Sequence, residues 1–182
     1  MKLLLVCFVT VFSLVCTVPV HAALFEGQQV RLTYELPSLG SIFDTRTFTV
    51  GAGVEASNFP TTTGVPLTNI DFSDFNIFVT YLSATTWTAL SFNGFHVFDM
   101  NGTIPAFTSI SINPATNMSG LDASRITFDA ENIYVNWNDL FFAPSTIVSL
   151  DINSQTVPEP SAMLLLGSGL IGLVGLRRRL KK

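Results

Sequence analysis

Apolar and polar residues alternate without a miss through Val30-Arg31-Leu32-Thr33-Tyr34-Glu35-Leu36. Successive side chains of a strand point to opposite faces, so this run reads as a half-buried β-strand. Pro37 to Ser41 is turn-forming, and alternation resumes from Thr45 to Val50, with Phe48 and Val50 inward and Thr47 and Thr49 outward. Gly51 to Pro66 is rich in Gly, Thr, Ser and Pro and reads as a loop, with room for a short strand around Val54. Asp71 to Leu82 predicts one long aromatic strand carrying Phe75, Ile77, Val79 and Tyr81 on one face. A strand from Thr85 to Phe92 is expected next, then Asn93-Gly94, then a strand from Phe95 to Phe98. Asn-Gly between apolar runs is a strong hairpin signal, because both residues tolerate positive φ. Asn101-Gly102 predicts a second turn, and Ser109 to Ile112, Arg125 to Phe128, Asn132 to Trp137 and Thr146 to Ile152 complete the strands.

No stretch of ten or more residues in this middle region repeats its apolar positions at the helical period. Short strands separated by turn signals every ~8–12 residues argue an all-β fold, an antiparallel β-sandwich of jelly-roll-like or Ig-like kind. Fourteen of the sixteen phenylalanines fall between residues 23 and 156, enough to supply the inner faces of two sheets.

The two ends follow a different pattern. Lys2 is followed by an apolar run from Leu3 to Val18, then Pro19 and Val20-His21-Ala22. This order of charge, apolar stretch and small residue is that of a secretory signal peptide, with the cut expected after Ala22 and Ala23 as the alternative. At the other end, Val157-Pro158-Glu159-Pro160-Ser161 is a stiff spacer, since each proline fixes its own φ and restricts the residue before it. Ser161 to Leu176 is a run of 16 uncharged residues, followed by Arg177, Arg178, Arg179, Lys181 and Lys182. As a helix that run spans about 24 Å, a short transmembrane segment that the long basic side chains extend. The positive-inside rule keeps the basic cluster cytoplasmic and the preceding domain outside. The expected organisation is a signal peptide over residues 1–22, an all-β extracytoplasmic domain over 23–156 and a C-terminal sorting segment over 157–182.

Composition narrows the chemistry. Residues 23–156 hold twelve carboxylates against three arginines (Arg31, Arg46 and Arg125) and no lysine, a net charge of −9 with histidine neutral. Such a surface repels phosphate backbones, so no nucleic-acid partner is expected. Both cysteines, Cys7 and Cys16, lie in the N-terminal segment. The domain therefore has no disulfide, thiolate nucleophile or thiolate metal ligand of its own. His96 is its only histidine, which excludes multi-histidine metal sites within one chain. Flanked by Phe95 and Val97, it falls on the opposite strand face and reads as a solvent-side residue. With no Gly-x-Ser-x-Gly elbow to supply a nucleophile, no catalytic residue is expected and the domain is read as non-enzymatic.

Two kinds of binding stay open at this level. Asp99-Met100-Asn101-Gly102 contains a fragment of a calcium-loop pattern, so Asp99 and Asn101 are the candidate metal ligands, although both are also ordinary turn formers. Calcium is the one cofactor left open. Trp137, at a strand end before Asn138-Asp139, and Trp87 are the candidate platforms for sugar rings, against the default of core packing. The acidic pairs Asp71/Asp74 and Asp129/Glu131 are read as loop and turn residues rather than a glycosidase pair.

The Pro158-Glu159-Pro160 tripeptide, the short apolar run and the Arg177-Arg178-Arg179 cluster, in this order behind a signal peptide, resemble the PEP-CTERM sorting domain. The resemblance covers Val157 to Lys182 and nothing upstream. It implies signal peptidase and an exosortase as processing partners, with cleavage near Pro158-Glu159-Pro160. Membrane insertion through the C-terminal helix would then be transient, and cell-surface or extracellular localisation would follow. It further implies an association with exopolysaccharide and biofilm matrix. The functional expectation is an exported, non-enzymatic surface or matrix protein. A carbohydrate-binding module for exopolysaccharide is the alternative, and a secreted hydrolase is the third reading.

Overall fold

The computed structural model describes residues 24–61 and 67–154. The expected signal peptide and the expected C-terminal helix lie outside the described residues. Twelve strands run through the described chain: β1 (Gln29–Glu35), β2 (Ile42–Thr49), β3 (Ala56–Phe59), β4 (Thr68–Ser73), β5 (Asn76–Tyr81), β6 (Thr85–Thr86), β7 (Gly94–Asp99), β8 (Phe107–Ile112), β9 (Ile126–Phe128), β10 (Asn132–Asn136), β11 (Phe141–Phe142) and β12 (Ile147–Ser154). The one helical element among them is a single 3₁₀ turn at Ala123–Arg125, capped by the Asp122 side chain.

The strands form two five-stranded antiparallel sheets, ordered β2-β1-β7-β10-β9 and β3-β4-β5-β12-β8, with β11 and β6 as a separate two-stranded pair. Alternation along β1 buries Val30, Leu32 and Tyr34, and alternation along β5 buries Ile77, Val79 and Tyr81. These inward residues belong to one continuous core drawn from both sheets. Aromatic rings bridge between them: Phe48 of β2 meets Phe72 of β4 at 5.3 Å, and Phe95 of β7 meets Phe59 of β3 at 5.8 Å. Two antiparallel layers sharing one aromatic core fit the expected β-sandwich. Phe25, ahead of β1, is fully buried and packs edge-on against Phe72 at 5.4 Å, closing one end of the core.

Several elements differ from the sequence expectation, each for a physical reason. The long strand expected over Asp71 to Leu82 is two strands, β4 and β5, which fold back on one another through a tight connection at Asp74 and Phe75. The Phe75 carbonyl there accepts from the Ile152 N–H at 2.8 Å, tying the connection to β12. The strand in the Gly51–Pro66 region is centred past Val54, at Ala56–Phe59, because Ala56 and Phe59 are the residues that reach the core while Val54 is half exposed. The expected strand from Thr85 to Phe92 shrinks to Thr85 and Thr86, which pair with Phe142 and Phe141 rather than with β7.

Asn93-Gly94 is not a hairpin turn. Gly94 begins β7, opposite Glu35 of β1 and Asn136 of β10. A Cβ on Gly94 would stand 1.9 Å from the Val135 carbonyl oxygen, so glycine here permits close backbone approach rather than positive φ. Asn93 is buried: its carbonyl accepts from the Trp137 N–H, its side chain accepts from the Tyr34 hydroxyl, and its amide donates to the Thr88 carbonyl. Asn101-Gly102 does turn, with Gly102 at φ 63°.

Candidate functional site

The outer face of the first sheet carries a row set by register: Thr33 of β1 stands opposite His96 of β7, which stands opposite Tyr134 of β10. His96 therefore lies on the face away from the core, as the alternation at Phe95 and Val97 requires. The His96 and Tyr134 rings stack at 4.3 Å with 25° between planes. Above this row opens a cleft of about 280 Å³, walled by Leu39 and Gly40 from the β1–β2 connection and Ile42 at the start of β2, and lined by Arg31 and Phe98.

Its floor is a hydrogen-bonded chain. The His96 Nδ1 lies 2.9 Å from Glu35 Oε1, and Nε2 lies 2.9 Å from Asn132 Oδ1. The Asn132 amide nitrogen donates to both oxygens of Asp129, which fixes the oxygen of that amide toward the imidazole. Glu35 Oε1 also accepts from the Thr33 hydroxyl at 2.8 Å, and Oε2 accepts from the Gly40 N–H at 2.7 Å. Each imidazole nitrogen thus faces an oxygen, Glu35 Oε1 on one side and Asn132 Oδ1 on the other. Burial alone would push the Glu35 carboxyl up, but the Gly40 N–H, the Thr33 hydroxyl and His96 together outweigh it and hold the group below the usual glutamate range. Burial raises the Tyr134 phenol, and the Asp129 and Glu35 carboxylates add to that.

Glu35 reaches His96 diagonally, because the residue directly opposite Glu35 is the side-chain-free Gly94. Glu35 is 2% exposed, a buried carboxylate on the outer face of a sheet, held there by the turn that brings Gly40 over it. Sequence reasoning missed this site. Its one signal was a lone histidine and a lone glutamate on outward positions of two strands whose pairing was not known.

The residues singled out from sequence lie elsewhere. Trp137 is fully buried and Trp87 is 3% exposed, so neither presents a ring face to solvent. Both pack on Phe95, at 5.5 and 6.4 Å, and Trp87 also packs on Phe142 at 4.9 Å. Asp99 is 3% exposed, with Oδ1 accepting from the Asn101 N–H at 3.1 Å and Oδ2 from the Ile104 N–H at 2.8 Å. It organises the loop after β7. Among the described residues no three His, Cys, Asp or Glu side chains come together as a metal site. Asp129 accepts from the Glu131 and Asn132 N–H groups, which with the Asn132 side chain hold its carboxyl below the usual range. Asp71 lies on β4 and Asp74 follows it in the connection to β5. Burial pushes the Asp71 carboxyl up, with Glu55 adding repulsion.

The second candidate site is the tail. The family model for the PEP-CTERM protein-sorting motif matches residues 156–179. The chain carries a PEP-CTERM sorting motif. That interval contains Pro158, Glu159, Pro160 and Arg177 to Arg179, all outside the described residues, and it starts one residue before the expected boundary at Val157. The PEP-CTERM motif marks an exported protein with an exosortase as its processing partner, held at the membrane or the cell surface. It begins two residues past Ser154, where β12 ends, so sorting segment and folded domain adjoin in sequence. No curated protein and no solved structure matches the chain.

Proposed function

We propose that this exosortase-sorted protein is a non-enzymatic component of the cell surface or extracellular matrix, associated with exopolysaccharide. The observation that carries the proposal is the PEP-CTERM motif placed immediately after the last strand of the β domain. Cleavage near Pro158-Glu159-Pro160 would remove the apolar run and the basic cluster and leave β12 whole. The released domain would carry its full excess of carboxylates, because the basic residues downstream of Arg125 all lie in the tail. Strong net charge of one sign keeps such a domain soluble in a hydrated matrix. The non-enzymatic reading is supported by the state of His96, whose two nitrogens are both engaged by structural acceptors. A catalytic imidazole needs one nitrogen free to take a proton from a reacting group.

Fractionation of an exporting host into cells, extractable matrix and medium tests the reading. The protein is expected in the surface and matrix fractions when the host has its exosortase, and to stay with the inner membrane when it lacks one. The same distribution in both hosts would contradict sorting. Turnover by the exported protein on a panel of glycosides or esters would contradict the non-enzymatic assignment.

A further inference from the structure

We propose that the cleft over the Thr33–His96–Tyr134 row binds a small carboxylate with an apolar, ring-sized body. The argument begins with Arg31. Arg46 donates to the Ser57 carbonyl and lies over the Phe59 ring, and Arg125 donates to the Asn138 carbonyl. Arg31 is exposed, lines the cleft and, among the described residues, has no hydrogen-bond or ion-pair partner, although the domain offers twelve carboxylates. A guanidinium is a rigid planar fork that matches a carboxylate with two parallel hydrogen bonds. The oxygens of Glu35 are already engaged, by His96, the Thr33 hydroxyl and the Gly40 N–H. Asp129 is engaged by Asn132. Of the three arginines of the domain, Arg31 is thus the one whose guanidinium is free to take a carboxylate fork to fork.

The walls define the rest of the ligand. Leu39 is 55% exposed and Ile42 is 59% exposed, and both flank the cleft with Phe98 and Tyr134. An inorganic anion would leave that apolar surface in water. A hydroxyl-rich sugar acid would set polar groups against it with few partners. An aliphatic or aromatic body covers it and gains from its removal from water. A cavity of about 150 Å³ suffices for benzene. The cleft volume of about 280 Å³ therefore fits one ring, a short link and a carboxylate.

Phenylacetate is the probe, titrated into the isotope-labelled exported protein and followed by NMR. The Gly40 amide and the His96 ring are expected to shift saturably, because the first closes the cleft wall onto Glu35 and the second forms the floor. Arg31→Gln is expected to weaken binding about tenfold or more, the loss of a charge-assisted bidentate contact, and phenylacetamide to bind similarly weakly. Ile42→Thr, which trims the apolar wall, is expected to weaken binding severalfold. Both positions are exposed, so both variants should unfold at the wild-type midpoint. No saturable shift with phenylacetate would overturn the proposal, as would equal binding by Arg31→Gln or by the amide. Tighter binding of glucuronate or inorganic phosphate than of phenylacetate would overturn the apolar-body assignment.

Discussion

His96 lies between two oxygen acceptors, and deleting its ring leaves the buried Glu35 carboxylate, held also by Thr33 and Gly40, without its imidazole partner. Removing one partner of a buried hydrogen bond costs more than the bond contributes, so His96→Ala is expected to destabilise the domain by about 1–3 kcal/mol in chemical unfolding. The pH dependence follows from Glu35. Its folded-state carboxyl sits below its unfolded value, so its contribution is complete above the unfolded range near 4.5 and disappears as pH falls through the folded value. The stability gap between wild type and Glu35→Gln should be flat above about pH 5.5 and close on acidification. A gap that widened toward acid would reverse the sign. Trp137 offers a contrasting case. Its ring is fully buried and its indole nitrogen has no hydrogen-bond partner among the described residues. Trp137→Ala should cost about 3–5 kcal/mol by cavity formation, and Trp137→Phe much less, because no hydrogen bond is lost with the indole.

Among the elements, β7 decides how the first sheet is assembled. It lies between β1 and β10 and begins at a glycine whose missing Cβ lets the Val135 carbonyl come close. Gly94→Ala is expected to destabilise by more than about 3 kcal/mol, since the obstruction is backbone and cannot rotate away. Gly51→Ala, with open space around the position, should stay within about 0.5 kcal/mol of wild type. Thermal unfolding of the two variants checks both. The same strand shows where the sequence was legible. The period-two pattern at Val30 to Leu36 and at Asn132 to Trp137 marks strands that are present, because alternation is a local consequence of one buried face. Asn93-Gly94 misled because a glycine serves both left-handed turns and close approach, and only the pairing partner tells them apart. The Asp71–Leu82 run misled because its tight connection at Asp74 and Phe75 carries neither glycine nor proline to mark it, only a phase shift between Phe72 and Ile77. The Glu35–His96–Asn132 chain was illegible because its members come from three strands whose order, β1-β7-β10, is set by long-range pairing.

For the whole molecule the distribution of charge is the organising fact. The β domain collects the carboxylates and the tail collects Arg177 to Arg179, Lys181 and Lys182, so the two parts suit opposite sides of a membrane. The sorting motif was legible because it is a contiguous pattern whose reading needs no folding partner, and its match at residues 156–179 bears this out. In the proposed function this tail directs sorting and is then removed, leaving the acidic domain outside. Intact-mass measurement of the protein recovered from the surface of an exporting host tests it most directly. The expected species ends near Pro158. A surface species that still carries Arg177 to Lys182 would contradict it.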